Sequence, residues 1–147
     1  MNEPSAGAFV GPEHQLPVRV YYEDTDFTGI VYHANYLRFF ERGRSDSFRM
    51  IGVSHSELAA DDTAFAITRM EIDFKQAARI DDVLVVHTAW TQIKGVRLLA
   101  RQAIRRGQAI LCQARVEAVC IGLDGRPRRP AAGLVATLTP WLCPDHA

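Results

Sequence analysis

Two periods divide this chain. From Ala34 to Ile51 the pattern is helical: Tyr36, Leu37, Phe40, Gly43, Ser47, Phe48 and Ile51 share one face, and Arg38, Glu41, Arg42, Ser45, Asp46 and Arg49 share the other. Gly43 and Ser47 on the apolar face predict that another element packs very close there, since alanine would favour the isolated helix more. Gly52 supplies the stop. Arg44 falls on the apolar side, where Glu41 one turn earlier can pair with it. A short second helix is predicted from Ser54 to Ala60, with Ser54 as N-cap and Glu57 at the capping-box position.

After this the period becomes two. Ala66, Thr68, Met70, Ile72 and Phe74 form one face of a strand, as do Leu84, Val86, Thr88 and Trp90 in the next. Val96, Leu98, Ala100 and Ile104 follow, and then Ile110, Cys112, Ala114, Val116, Ala118 and Cys120. Turn signals separate the runs at Ile80-Asp81-Asp82, Lys94-Gly95, Arg106-Gly107 and Asp124-Gly125. Four long strands so joined predict an antiparallel meander. Ahead of the helix, Pro17 opens a short alternating strand from Val18 to Tyr22, and Pro130 to Leu138 is predicted to be a terminal helix. One amphipathic helix before a long antiparallel sheet gives an α+β layer in which the sheet wraps the helix. The predicted organisation is a single domain over residues 16–141, with a frayed tail at 1–15 and a short C-terminal tail at 142–147.

Composition narrows the function. A length of 147 residues supports one core, and a formal net charge of zero argues against a nucleic-acid binder driven by bulk positive charge. Three cysteines (Cys112, Cys120 and Cys143) make an odd count with no zinc spacing, and Cys112 and Cys120 fall on one face of one strand. They read as buried thiols of a reducing compartment. Residues 1–11 lack the basic start and apolar core of a secretory signal, and no apolar run approaches the ~20 residues of a membrane span. The expected location is cytoplasmic. The histidines are scattered, so no metal site is expected.

Chemistry concentrates between Tyr21 and Arg44. Glu23, Asp24 and Asp26 end the first strand-like run, Phe27-Thr28-Gly29 turns the chain, and His33 stands where the helix begins. A carboxylate at such a turn can act as general base or nucleophile, or it can simply cap the turn; spacing alone leaves both open. The first amides of a helix have no intrahelical acceptor, so they can polarise an acyl carbonyl and stabilise the oxyanion formed on attack. Gly29 permits close backbone approach. His33 can orient a leaving group or position water, or serve only as a hydrogen-bonded residue at a helix start. Glu23 and Asp24 read as solvated or structural.

The run Val-Arg-Val-Tyr-Tyr-Glu-Asp-Thr-Asp-Phe-Thr-Gly-Ile-Val-Tyr-His-Ala-Asn-Tyr-Leu, from Val18 to Leu37, resembles the signature of hotdog-fold acyl-CoA thioesterases of the 4-hydroxybenzoyl-CoA thioesterase superfamily. The closer likeness is to the Tol–Pal-associated, YbgC-type branch. It extends to Glu41-Arg42-Gly43-Arg44, to Ala78-Arg79-Ile80-Asp81-Asp82 and to Arg126-Pro127. The resemblance implies a helix wrapped by an antiparallel sheet, a homodimer or homotetramer, and active sites at the dimer interface. It implies that Asp26 is the catalytic carboxylate and that the backbone at His33 polarises the thioester carbonyl. Gly29, Ile30, Val31 and Tyr32 are then the substrate-binding positions of the turn, and Lys94 and Arg97 the cations nearest the CoA path, with Arg128 and Arg129 as further candidates. Phe27 and Thr28 depart from the small residues common at this turn in relatives.

The expected activity is hydrolysis of an acyl-CoA to a carboxylic acid and free CoA, without metal or redox cofactor. Two other functions fit the same fold. One is a module that binds acyl-CoA or acyl-carrier protein without cleaving it, and the other is a dehydratase acting on hydroxyacyl thioesters.

Overall fold

A computed structural model of the chain describes Pro4 and residues 6–145. Its centre is helix α1, Asn35–Met50, laid on one face of a six-stranded antiparallel sheet. The strands are β1 (Ala8–Val10), β2 (Glu13–Arg19), β3 (Ala64–Phe74), β4 (Val83–Lys94), β5 (Arg97–Arg106) and β6 (Ala109–Ile121). They lie in the order β1-β2-β4-β5-β6-β3.

The predicted meander therefore holds for β4, β5 and β6 only. β3 pairs with β6, in register from Ala64 opposite Ile121 to Phe74 opposite Cys112, and never touches β4. The link 75–82 is what separates them. It crosses the end of the sheet over three strand spacings, roughly 14 Å. On the way Ala78 and Arg79 engage the loop before α1, Val31 N–H donating to Ala78 O at 2.8 Å. The Ile80-Asp81-Asp82 signal is the end of a crossover and not a hairpin.

Helix α1 buries Tyr36, Phe39, Phe40, Gly43, Ser47 and Phe48. The close approach predicted at Gly43 is present: a Cβ there would lie 2.7 Å from Thr88 Oγ1 and 2.8 Å from Val86 Cγ1. Beneath it runs a closed polar network. Gln102 Nε2 donates to Phe40 O (2.9 Å) and Thr88 Oγ1 (2.8 Å), and its Oε1 accepts from Arg44 Nη1 at 2.9 Å. Arg44 thus spends its donor on the sheet and not on Glu41, which accepts from Ser45 Oγ instead. Ser47 Oγ takes the Trp90 indole N–H at 2.9 Å and donates to Arg44 O. The apolar face is wider than predicted, because Phe39 is fully buried while Leu37 is substantially exposed.

Both expected tails need correction. Of the N-terminal one, residues 1–3 and 5 lie outside the described residues, but Ala8–Val10 and Glu13–Arg19 form a hairpin turned at Gly11, whose φ is +61°. Phe9 anchors it against Trp141, ring centroids 4.2 Å apart. β2 stops at Arg19 rather than Tyr22, because the Asp24 carboxylate accepts the Tyr21 N–H at 2.8 Å and pulls residues 22–24 into a 3-10 turn. At the other end, helix α2 (His55–Ala60) is capped by Ser54 as predicted, and α3 spans Ala132–Leu138. Residues 142–145 do not trail away: Cys143 N–H donates to Trp90 O at 2.7 Å, and Asp145 pairs with Arg115 at 2.7 Å and with Arg101. Cys112 and Cys120 are buried free thiols on the helix side, and burial pushes the Cys112 thiol up to about 12. No helix among the described residues is long and apolar enough to cross a membrane.

Candidate active site

The loop from Tyr21 to Ala34 is held from beneath by one buried acid. Asp24 Oδ2 takes the Tyr21 amide, Oδ1 takes the Asn35 side-chain amide at 2.9 Å, and its carbonyl takes the Tyr32 amide at 3.0 Å. Asp24 is 4% exposed with every oxygen occupied, so it ties the loop to the first residue of α1. This confirms its structural reading. Tyr36 closes the same joint from the helix, its hydroxyl accepting the Ala78 N–H at 3.1 Å.

Asp26 sits at the neck of a tight turn. Its N–H donates to Ile30 O (3.0 Å) and its carbonyl accepts from Gly29 N–H (3.1 Å). Gly29 has φ +82°, and a Cβ there would meet nothing, so glycine is needed here for backbone conformation and not for space within the chain. The Asp26 carboxylate is partly exposed. Its Oδ1 accepts both the Thr28 N–H (2.8 Å) and the Thr28 hydroxyl. These two bonds, the hydroxyl's first, hold the carboxyl below its ordinary range, so it is ionised at neutral pH. Oδ2 has no partner among the described residues.

Asp26 shares a shallow cavity of about 360 Å³ with Glu23, Thr25, Tyr32, Ala34 and Arg38. The far wall is the start of α1. There Asn35 N–H is committed to Tyr32 O at 2.8 Å, whereas the amides of His33 and Ala34 meet no acceptor among the described residues. The His33 imidazole is exposed, edge-on to Phe74 at 6.3 Å and beside Tyr32 at 4.6 Å. An acid with one free oxygen and Ala34, whose amide is free, thus line one opening, and His33 lies next to it in the chain.

The other predicted site residues divide. Gly29 and Ile30 shape the turn, Ile30 bridging to Arg79, and Tyr32 faces the cavity. Val31 is 5% exposed and its amide is committed, so it anchors the loop to the core. Lys94 and Arg97 flank the β4–β5 turn, at the far end of β4 from Val83. Eleven residue steps of strand, roughly 36 Å, part them from the acidic turn of their own chain. Arg97 faces Glu117 at 3.4 Å. Arg128 donates to the carbonyls of Asp61 and Asp62, a structural position. Sequence reasoning missed Arg38, assigned to a solvated face, and Thr28, noted only as a departure; a hydroxyl two residues after an acid at a turn is the signal that pointed to the second.

No group of three or more His, Cys, Asp or Glu among the described residues is arranged to hold a metal. An antiparallel sheet with one long helix across its face, and an acidic turn feeding that helix, defines the hotdog class of α+β domain. The chain belongs to the thioesterase-like superfamily, whose family model matches residues 20–143. It is 42% identical over 109 residues to "Acyl-CoA thioesterase YbgC" of Haemophilus influenzae, covering 74% of this chain and 80% of that one. It is 39% identical over 122 residues to "Acyl-CoA thioester hydrolase YbgC" of Escherichia coli, covering 82% and 91%. Among solved structures, a probable thioesterase from Bartonella henselae superimposes with a TM-score of 0.79 at 41% identity, over 81% of this chain and 99% of that one. A 1,4-dihydroxy-2-naphthoyl-CoA thioesterase from Synechocystis shares the fold at TM-score 0.79 and 22% identity, over 86% and 96%.

Proposed function

We propose that this protein is an acyl-CoA thioesterase, hydrolysing the thioester to a carboxylic acid and free CoA. One observation carries the reading: the ionised Asp26, with Oδ2 free, lines the same cavity as Ala34, whose amide at the start of α1 is uncommitted. The carbonyl oxygen of a thioester seated there would accept from the His33 and Ala34 amides, which stabilise the charge that develops on attack. Asp26 then either attacks the carbonyl carbon, giving an anhydride that water opens, or takes a proton from the attacking water. In both routes the C–S bond breaks, and the thiolate departs with its electron pair and is protonated. Thiols are far stronger acids than alcohols, so the leaving group needs no metal.

The reading includes a cytoplasmic location, in keeping with free thiols and a CoA substrate. It also includes a homodimer. β3 is an eleven-residue edge strand with Ile67 and Phe74 exposed among polar side chains, and a long unpaired edge is a pairing surface. Antiparallel self-pairing of β3 would set the Ala64 end of one chain beside the Phe74 end of the other, where His33 lies. The β4–β5 turn belongs to the Ala64 end, since Arg97 and Ala66 are both opposite Val119. Lys94 and Arg97 of the partner subunit would then approach the acidic turn and meet the CoA phosphates.

The test is a panel of aliphatic and aromatic acyl-CoAs with released thiol as readout. Thiol release is the expected result. Binding without release would make the protein a non-cleaving module, and an enoyl product from hydroxyacyl-CoA would make it a dehydratase. Mixed dimers of Asp26→Asn chains with Lys94→Ala/Arg97→Ala chains should regain part of the activity that each homodimer loses. A fully active monomer by sedimentation would remove the shared site.

A further inference from the structure

We infer that Thr28 is a positioning residue, whose side chain holds Oδ1 of Asp26 so that Oδ2 is the oxygen presented to the thioester. The inference rests on Asp26 being the catalytic carboxylate. The geometry is local and closed. Thr28 follows Asp26 by two residues, and its N–H and hydroxyl both donate to the one oxygen. An Asp side chain at a turn tip is otherwise free to rotate about χ1 and χ2. The backbone N–H bond alone is a common turn contact that any residue could supply. Only the hydroxyl adds a second donor, fixing the carboxylate plane as well as its direction.

Asymmetric loading of a carboxylate has two chemical effects. It spreads the charge of Oδ1 into two hydrogen bonds, so the group remains ionised to lower pH. It also leaves Oδ2 as the only oxygen able to reach a carbonyl carbon or a water without first breaking a bond. Thr28 is exposed, so removing its hydroxyl should not disturb folding.

The experiment uses the full chain and three variants: Thr28→Ala, Thr28→Ser and Asp26→Asn. The expected result for Thr28→Ala is a kcat lower by roughly 5-fold, the scale of one exposed hydrogen bond to a charged group, with KM little changed. The acid limb of its pH–rate profile should move to higher pH, and so should the Asp26 carboxyl titration followed by ¹³C NMR. Thr28→Ser should restore all three, because it restores the hydroxyl. If neither the titration nor the profile moves while Asp26→Asn is inactive, Asp26 stands as the catalytic group and the role of Thr28 is refuted. If the titration moves but the profile does not, the kinetics do not read Asp26, and both assignments fall.

Discussion

Two acid–histidine combinations among the described residues, His14 with Asp46 and His33 with Asp26, are opposites. His14, on β2, is fully buried and shares a 2.8 Å contact with Asp46 of α1, whose Oδ2 also takes the Gly7 amide at 2.8 Å. Asp26 and His33 reach solvent and form no hydrogen bond with each other, and Asp26 borders an open cavity. The residue types are the same; the difference is in access. Asp46 Oδ2 and His14 Nε2 fasten the N-terminal hairpin to the helix, with the imidazole wholly shut off from solvent. Asp26 keeps one oxygen free, and the helix start beside it keeps two amides free. Burial away from any ligand marks a structural pair, while an exposed acid with a free oxygen beside a cavity is what chemistry requires.

The sharpest way to break that contrast is to neutralise each acid. Asp26→Asn should lower kcat at least ~10²-fold, the effect of losing a positioned base or nucleophile. Its thermal midpoint should remain close to the parent's, because the amide oxygen can still accept from Thr28. Hydrolysis at the parental rate would mean that Asp26 is not the group that reacts.

His14→Ala should do the reverse. Removing a wholly buried ring leaves a void and strips Asp46 of a partner, which together cost about 2–4 kcal/mol of stability. Urea unfolding would read this directly. A loss under about 1 kcal/mol would show that the hairpin is held by Phe9 against Trp141 and not by the polar pair.

How far these roles could be read in advance depended on whether the partners were near in sequence. Asp26, Gly29 and His33 fall within eight residues, so their meeting at one turn needed no tertiary information. Gly43 and Ser47 were legible as a packing seam because a helix with small residues on its apolar face has one physical explanation. The Ala8–Val10 strand was not: three residues hold no period, and Phe9 is ordered by Trp141 from the far end of the chain. The same is true of residues 142–145, which are fixed by Trp90, Arg101 and Arg115 on three different strands. The place of β3 was misread because a crossover and a hairpin carry the same turn residues. Lys94 and Arg97 lie beyond the reach of any single-chain argument, since their own acidic turn is roughly 36 Å away along the strand.

A smaller effect is expected at His33. Alanine there keeps the backbone N–H and removes only the exposed imidazole, so kcat should fall by less than ~10-fold. Proline would remove the amide itself and should cost more. Normal kcat and KM in His33→Ala would leave the imidazole with no part in turnover.

The smallest expected effect is a pH dependence confined to the buried pair. Burial holds the His14 pKa below 6.5, with the Asp46 bond and charge opposing but not overcoming it. The geometry accounts for the direction. Nε2–H donates to Asp46, which leaves Nδ1 as a bare acceptor, buried and without a partner. Protonation would place a proton there with nothing to receive it. The unfolded chain therefore binds the proton more readily than the folded one as pH falls below 6.5, and stability falls with it. Well above pH 6.5 both states are neutral and this contribution is complete. His14→Gln keeps a donor toward Asp46 but cannot titrate, so it isolates the effect from other histidines, including His87 beside Glu13 at 2.5 Å. Between pH 7 and pH 5.5 the parent's urea midpoint should drop further than that of His14→Gln. Parallel slopes in the two proteins would show that His14 takes up no additional proton on unfolding, and the buried pair would then lose its distinction from the exposed one in the currency of protons.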